Sequence, residues 1–117
     1  MDISKDLVAA SATPLVLAII SEGESYGYAI IKRVDELSGG ELQWTDGMLY
    51  PVLHRLERNG LVKASWGRSD SGRRRKYYRL TKQGSQELAN QQRQWQVVND
   101  TLRGTSFKAL QLAPQGI

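Results

Sequence analysis

Between residues 45 and 80, the hydrophobic positions change from a helical to an alternating period. Apolar residues recur first as one stripe of a helix, at Met48, Leu49, Val52, Leu53 and Leu56. Beyond residue 60, apolar and polar positions alternate, as in a strand with one buried face. The pattern therefore predicts one helix with a core-facing stripe, followed by β-structure.

Both ends of this helix are marked by residues suited to capping. Thr45 is a suitable N-cap with Asp46 in the first turn, and Gly60 follows Asn59 where a left-handed residue commonly ends a helix. Pro51 removes an internal hydrogen bond and crowds the preceding turn. We therefore expect a kink at Pro51 or a differently wound first turn.

The alternating segment predicts a β-hairpin with a long polar loop. The first strand would place on one face Val62, Ala64 and Trp66. Residues 67–72 are rich in turn formers, and residues 76–80 form a second strand in which Tyr78 and Leu80 share a face. A helix followed by this hairpin is the order found in a winged helix.

Residues 1–22 have a helical pattern that allows two interpretations. Thr13 and Pro14 suit the N-cap and first position of a second helical piece, although a single kinked helix fits equally well. The apolar run 15–20 has no period of its own and by itself is also compatible with a buried strand.

A second helix follows a polar turn at residues 22–25 and ends at Gly39 and Gly40. Residues 41–44 could form the short first strand that winged helices often place against the hairpin. A last helix begins after Thr81 and continues to about Arg103.

The last helix carries only a narrow hydrophobic seam. In a seven-residue frame, its inner positions are Leu88, Gln91, Trp95, Val98 and Leu102. So thin a stripe buries little on its own, which predicts a second copy of the chain alongside. The expected homodimer interface consists of Leu7, Leu88, Trp95, Val98 and Leu102.

Positive charge is concentrated on the hairpin. Residues 61–80 contain seven basic residues against the single acid Asp70, a local charge of +6. The whole chain carries +4, so the remaining residues sum to −2. Such a concentration is typical of a surface that meets a polyanion, although a basic run by itself is often only a solvated face.

Composition excludes several classes of function. The chain has 117 residues, no cysteine and one histidine, so it lacks a thiol nucleophile and the usual zinc ligands. It also lacks a GxSxG motif and a phosphate-binding glycine loop. We predict no enzymatic activity, no metal and no cofactor. Because no apolar run approaches the length of a bilayer and no signal sequence is evident, we expect a cytoplasmic protein without a membrane span.

Three segments together resemble the PadR family of bacterial transcriptional regulators. They are SYGYAIIKRV from Ser25, MLYPVLHRLERNGLV from Met48 and GRRRKYYRLT from Gly72. The single C-terminal helix is similar to that of the compact members. The resemblance favours a helix at residues 15–20. It implies a mainly α fold with a small hairpin: a winged helix-turn-helix domain over residues 1–80, whose N-terminal helix also contacts the dimer partner, and a dimerisation helix over 81–103. The helical pattern lapses from Gly104, which predicts a disordered tail over 104–117.

The resemblance also implies sequence-specific binding to double-stranded DNA, with the helix from Thr45 as recognition helix and the hairpin as wing. The N-terminus of the second helix would face the DNA backbone. The expected DNA-binding residues are Tyr28, Lys32, Thr45, Asp46, Gly47, Tyr50, Pro51, His54, Arg55, Arg68, Arg73, Arg74, Arg75, Lys76 and Tyr77.

Trp95 admits two interpretations. In the first, it simply packs in the core or the dimer, as large aromatic residues do. Because some compact PadR-like regulators respond to aromatic compounds, paired tryptophans at a dimer axis would instead suit a planar effector that releases a repressor. The lining would then include Leu7, Ala10, Thr13, Gln91, Trp95 and Asn99. The alternatives are a DNA-binding regulator without a ligand, and a protein-interaction module whose basic wing meets an acidic partner.

Overall fold

The computed structural model describes residues 1–116, and the side chains of residues 1–105. Its elements follow in the order α1 (Lys5–Ser21), α2 (Gly27–Leu37), α3 (Asp46–Arg58), β1 (Val62–Arg68), β2 (Arg74–Leu80) and α4 (Lys82–Gly116). The predicted fold class is confirmed: a mainly helical chain contains one antiparallel hairpin and ends in a long helix.

The first helix is continuous through Pro14. Ser4 caps it by accepting a hydrogen bond from the Leu7 amide, so Thr13 is not an N-cap and neither the two-piece helix nor the strand is formed. Proline in a helix interior costs about 3 kcal/mol. Here α1 buries Val16, Leu17 and two isoleucines, each worth about 1.5–3 kcal/mol, together with Ala12, so burial outweighs the lost hydrogen bond.

The capping residues of α3 act largely as expected. Asn59 is the C-cap, and Gly60 follows with a positive φ of 74°. Thr45 occupies the N-cap position, but its side chain makes no capping hydrogen bond. The amides of Met48 and Leu49 both donate to the Thr45 carbonyl, at 3.2 and 3.0 Å, so the first turn combines two hydrogen-bond spacings before Pro51.

The predicted strand at residues 41–44 is wrong. The Leu42 amide donates instead to the Ser38 hydroxyl at 2.9 Å, and Trp44 is buried in the core. The additional bridge to the hairpin comes from Ser25, which exchanges two backbone hydrogen bonds with Tyr78 at 2.9 and 2.7 Å. The segment that enters α2 therefore takes the place expected for a short first strand.

The hairpin pairs Val62 with Leu80 at its base and Arg68 with Arg74 at its tip. The second strand begins two positions earlier than predicted, so most of the basic run lies on a strand and only Arg73 lies in the turn. Trp66 was expected on the half-buried face but is 59% exposed. The wing extends past the core at this point, so alternation no longer implies burial.

The core contains residues from the three N-terminal helices, the hairpin and α4. Its largest fully buried side chains include Leu17, Ile30, Leu53 and Tyr78. The helix α4 joins the core near its start, where Gly84 packs against the Leu61 carbonyl. The helix continues to Gly116, past the end predicted near Arg103. Of the tail predicted over 104–117, the side chains of residues 106–116 and all of residue 117 lie outside the described residues.

Over residues 1–116, no helix combines the length and hydropathy that a membrane crossing requires.

Candidate nucleic-acid interface

One surface cleft, of about 720 Å³, lies between the start of α2, the exposed side of α3 and the hairpin. Four cationic residues of the wing line it, together with several aromatic rings. We call this surface the basic cleft; its lining residues are Tyr26, Gly27, Tyr28, Tyr50, His54, Trp66, Arg73, Arg74, Arg75, Lys76 and Tyr78. Three separate parts of the sequence thus meet at one positively charged surface.

The start of α2 brings the second helix close to α3. Tyr26 is the N-cap residue, makes no side-chain capping bond, and is followed by a first turn without an acidic residue. A Cβ at Gly27 would lie 2.6 Å from the Tyr50 hydroxyl, so a side chain there would require the tip of the Tyr50 ring to move. Tyr28 is 68% exposed beside it. The uncapped amides and the positive end of the helix dipole suit an anion.

Two arginines of the wing lie over aromatic rings. The guanidinium carbon of Arg75 is 3.8 Å from the ring centroid of Tyr26, and that of Arg74 is 4.3 Å from the ring of Trp66. Guanidinium groups are attracted to aromatic faces, and a stacked one keeps the N–H groups along its edge available. Each guanidinium thus has an aromatic contact that does not neutralise its charge.

Lys76 connects the wing to α3. Its ammonium lies 3.5 Å from a carboxylate oxygen of Glu57 and 5.6 Å from the ring centroid of Tyr78. Burial raises the pKa of the Tyr78 phenol above its ordinary value, while the charge of Lys76 acts in the opposite direction. Tyr78 consequently stays neutral at physiological pH, and Lys76 has both an acidic and an aromatic neighbour within the chain.

The tip of the wing is closed by its own hydrogen bonds. Arg68 Nη1 donates to the Gly72 carbonyl at 3.0 Å, and the Gly72 amide donates to the Ser69 carbonyl at 2.8 Å. Gly72 has a positive φ of 82°, which favours glycine there. Arg73 is left exposed in the turn.

Several predicted DNA-binding residues do not line the basic cleft. Thr45, Asp46, Gly47 and Pro51 are exposed in the first turns of α3, and Lys32 is exposed on α2.

Arg55 points to a different part of the molecule. Its Nη2 donates to the Thr13 hydroxyl of α1 at 2.8 Å. Arg55 therefore does not share the basic cleft with Tyr50 and His54, although the helical spacing suggested one common side. Tyr77 packs edge-on against Tyr26, with ring centroids 5.7 Å apart.

A second surface groove, of about 420 Å³, separates α1 from α4. We call it the apolar groove; its lining residues are Ile3, Leu7, Ser11, Pro14, Leu15, Ala18, Leu42, Gln92 and Trp95. Of the residues predicted to line an effector site, Leu7 and Trp95 lie here. Four do not: Ala10, Thr13, Gln91 and Asn99.

Two of these four have other partners in the chain. Thr13 accepts the hydrogen bond from Arg55, and Gln91 donates to Glu87 at 2.9 Å.

The predicted dimer residues differ in how much surface they offer. Leu88 is only 7% exposed because it belongs to the core of its own chain. Leu7, Val98 and Leu102 are 50%, 59% and 58% exposed, and Trp95 is half-buried in the apolar groove. Among the described side chains, Leu7, Val98 and Leu102 therefore remain available to another molecule, and Trp95 partly so.

Sequence reasoning missed Tyr26 and Trp66 as residues of the site. Their role depends on which arginine lies above each ring, and those pairs bridge residues far apart in the sequence or across the hairpin. The signal available was the alternation of the strands, which pairs Trp66 with Lys76 and places Arg74 diagonally beside it.

The helix order, the hairpin and the cleft between them define a winged helix-turn-helix protein. The sequence pattern of the transcriptional regulator PadR-like family matches residues 16–90. The chain therefore belongs to the PadR-like family of transcriptional regulators, which are not enzymes.

Solved structures of similar chains agree with this assignment. A transcriptional regulator from Clostridium thermocellum is 28% identical, with a TM-score of 0.79 over 88% of this chain and 97% of that one. A PadR family transcriptional regulator from Eggerthella lenta is 33% identical, with a TM-score of 0.72 over 83% and 82%. The transcriptional regulator YqjI of Escherichia coli is 29% identical over 86% of this chain, which spans 47% of that protein.

Proposed function

We propose that the protein binds specific double-stranded DNA as a homodimer and represses transcription. The observation that carries this proposal is the basic cleft, where four wing cations meet the uncapped start of α2 and the exposed side of α3. Counterion release by such a surface supplies most of the affinity for DNA, and the helix supplies contacts to base edges. Such a repressor would act in the cytoplasm.

In this mechanism α3 enters the major groove with its N-terminal residues towards the bases. Thr45, Asp46 and Gly47 begin the helix, and Tyr50 and His54 follow on the side of the cleft. The wing then lies along the flanking backbone, where Arg73, Arg74 and Arg75 donate to phosphates or enter the minor groove. Lys32 on α2 and Arg68 at the wing add positive charge.

The exposed seam of α4 supports the homodimer. Leu7, Trp95, Val98 and Leu102 would pack against the same residues of a second copy. A twofold axis would then place the two recognition helices about 34 Å apart, in successive major grooves of a pseudo-palindromic site.

The apolar groove supports a planar aromatic effector. Trp95 forms one wall, and pairing with the partner copy would enclose the space further. A ligand that fits one spacing of the two DNA-binding domains better than another shifts the population away from the DNA-bound form. Repression would then be released by the ligand.

DNA binding is tested by fluorescence anisotropy with the duplex upstream of the protein's own gene and an unrelated duplex. We expect preference for the upstream DNA and a steep fall in affinity with salt, of about −0.9 in log–log slope per phosphate contacted. Replacement of Arg73, Arg74 and Arg75 by Ala should remove most of the binding and reduce the slope by about 5, because the homodimer loses six arginines.

A charge-matched control removes three exposed basic residues of α4, Lys82, Arg93 and Arg103. This variant has the same net charge as the wing variant, so it should retain nearly all of the affinity. Equal losses in the two variants, or no binding of either duplex at low salt, would contradict the proposal and favour an acidic protein partner.

The effector is tested by quenching of tryptophan fluorescence with planar aromatic compounds. Trp44 and Trp66 provide background, so the difference between the protein and Trp95→Leu isolates Trp95. Quenching that disappears in the variant supports the ligand-responsive form. Identical quenching in both proteins would leave a regulator without this ligand site.

A further inference from the structure

We infer that Tyr26 is a positioning residue, which holds the Arg75 guanidinium ready for DNA without touching DNA itself. The inference rests on the proposed function and assigns a role to a residue that the sequence pattern did not single out. The geometry of the start of α2 and of β2 supports it.

The ring of Tyr26 is enclosed by two residues of β2. Arg75 lies over its face at 3.8 Å from the centroid, and Tyr77 approaches edge-on with centroids 5.7 Å apart. All three side chains are partly buried. Partial burial strengthens the attraction between a cation and a ring, because fewer water molecules compete for the cation.

The backbone, rather than the Tyr26 hydroxyl, holds this ring in place. The preceding residue, Ser25, exchanges two hydrogen bonds with Tyr78 on β2, at 2.9 and 2.7 Å. The following residue, Gly27, begins α2 and is buried. The ring is thus attached on one side to the wing strand and on the other to a helix of the core.

An arginine stacked by its face keeps its N–H groups free at the edge. It can therefore donate to a phosphate oxygen while it stays on the ring. Because its rotamers are already restricted in the free protein, less conformational entropy is lost on binding. Tyr26 would in this way raise the affinity through Arg75, without a DNA contact of its own.

The same short segment also contacts the proposed recognition helix. The absence of a side chain at Gly27 leaves room for the Tyr50 hydroxyl, as described above. Adjacent residues at the start of α2 therefore contact both proposed DNA-facing parts, the wing at Arg75 and α3 at Tyr50. Arg73 provides a contrast, since among the described residues no aromatic ring lies beneath it.

The test compares Tyr26→Phe with Tyr26→Leu. Phenylalanine keeps the aromatic face and removes the hydroxyl, whereas leucine removes the face. With the duplex upstream of the protein's gene, we expect Tyr26→Leu to bind about 10-fold more weakly, the order of one cation–π contact. Tyr26→Phe should bind within about 2-fold of the parent protein, on the same principle.

A double-mutant cycle separates positioning from general damage to the fold. In a background of Arg75→Ala, Tyr26→Leu should cost no further affinity, because the group that it holds is gone. Circular dichroism verifies that each variant is folded. In the free protein, NMR should show the side-chain protons of Arg75 shifted upfield by the ring, with the shift kept in Tyr26→Phe and lost in Tyr26→Leu.

Three affinity results would each overturn the inference: Tyr26→Phe as weak as Tyr26→Leu, which would indicate a phosphate contact by the hydroxyl; full affinity in Tyr26→Leu; or an additional loss in the Arg75→Ala background. Absence of the upfield shift would also overturn it. If the parent protein binds no duplex, the proposed function fails, and the NMR experiment still decides whether Tyr26 holds Arg75.

Discussion

The basic cleft and the apolar groove are both open surface features of one small chain, yet they are constructed in opposite ways. The cleft, of about 720 Å³, is lined by four cations and by aromatic rings. The groove, of about 420 Å³, has aliphatic walls, one tryptophan and only Ser11 and Gln92 as polar residues. The cleft therefore suits an anionic partner, and the groove suits an apolar one.

Residues of the cleft largely hold one another. Arg75 stacks on Tyr26, Arg74 stacks on Trp66, and Lys76 pairs with Glu57. By contrast, Leu7 in the apolar groove and Val98 and Leu102 further along α4 are each at least half exposed. Contacts within one chain can hold the side chains of a charged surface in place. Exposed apolar side chains leave water only when a second molecule covers them.

The largest expected effect comes from placing a charge in the apolar groove. Trp95→Asp should dissociate the proposed homodimer, because a carboxylate would be buried against an apolar surface at the proposed interface. Loss of the linkage between two DNA-binding units should lower affinity for a two-half-site duplex by roughly 100-fold or more. Sedimentation velocity and anisotropy measure the two losses.

Gln94→Asp is the matched control for Trp95→Asp, because residue 94 is exposed and does not line the groove. That variant should remain dimeric. A Trp95→Asp protein that still sediments as a dimer with full DNA affinity would show that the groove is not part of the interface.

Gly84→Ala should loosen the packing of α4 against the base of the wing and so lower the stability of the protein. A Cβ there would lie 1.9 Å from the Leu61 carbonyl oxygen, so α4 must shift away from the base of the wing. We expect a loss of about 2–4 kcal/mol in the free energy of unfolding, measured by urea denaturation. The comparison is Gly104→Ala, where nothing lies within 4 Å and the helix should gain up to about 1 kcal/mol. Equal effects at the two positions would contradict this account of α4 docking.

A smaller effect is expected at the pair that connects the wing to α3. Lys76→Glu should lower stability by less than about 1 kcal/mol, since the pair is partly exposed, and should weaken DNA binding through the altered wing. Adding Glu57→Lys should restore stability and part of the affinity if Lys76 acts through Glu57. No recovery of affinity in the double variant would indicate that Lys76 contacts phosphate directly.

The smallest effect concerns an ion pair outside both surfaces. Two hydrogen bonds from Arg33 lower the pKa of Glu22 below its ordinary value. A carboxyl with a lowered folded-state pKa stabilises the protein above its unfolded pKa, and this contribution is lost as the pH falls through the folded value. Glu22→Gln should therefore flatten the acid side of the stability profile below roughly pH 4.3 and leave DNA binding unchanged. A profile identical to that of the parent would contradict this assignment.

How much of the site could be predicted depended on whether local residues decide it. The sequence predicted the basic wing and its position after the recognition helix, because charge and periodicity are local properties. It did not predict which arginine stacks on which ring, nor that Arg55 donates a hydrogen bond to Thr13 of α1. Those contacts join residues distant in the chain, and their choice depends on how α1 and α2 pack.

The sequence by itself determined the order of elements, the glycine that ends α3, the hairpin and the location of positive charge. Each follows from short-range spacing and from the backbone preferences of single residues. Only the tertiary structure decided that α1 runs through Pro14, that Ser25 rather than residues 41–44 extends the hairpin, and that Trp66 is exposed. For α1, burial of apolar surface outweighed the local preference of Pro14 for a helix start. The pairing of Ser25 and the exposure of Trp66 follow instead from where the wing lies relative to α2 and the core.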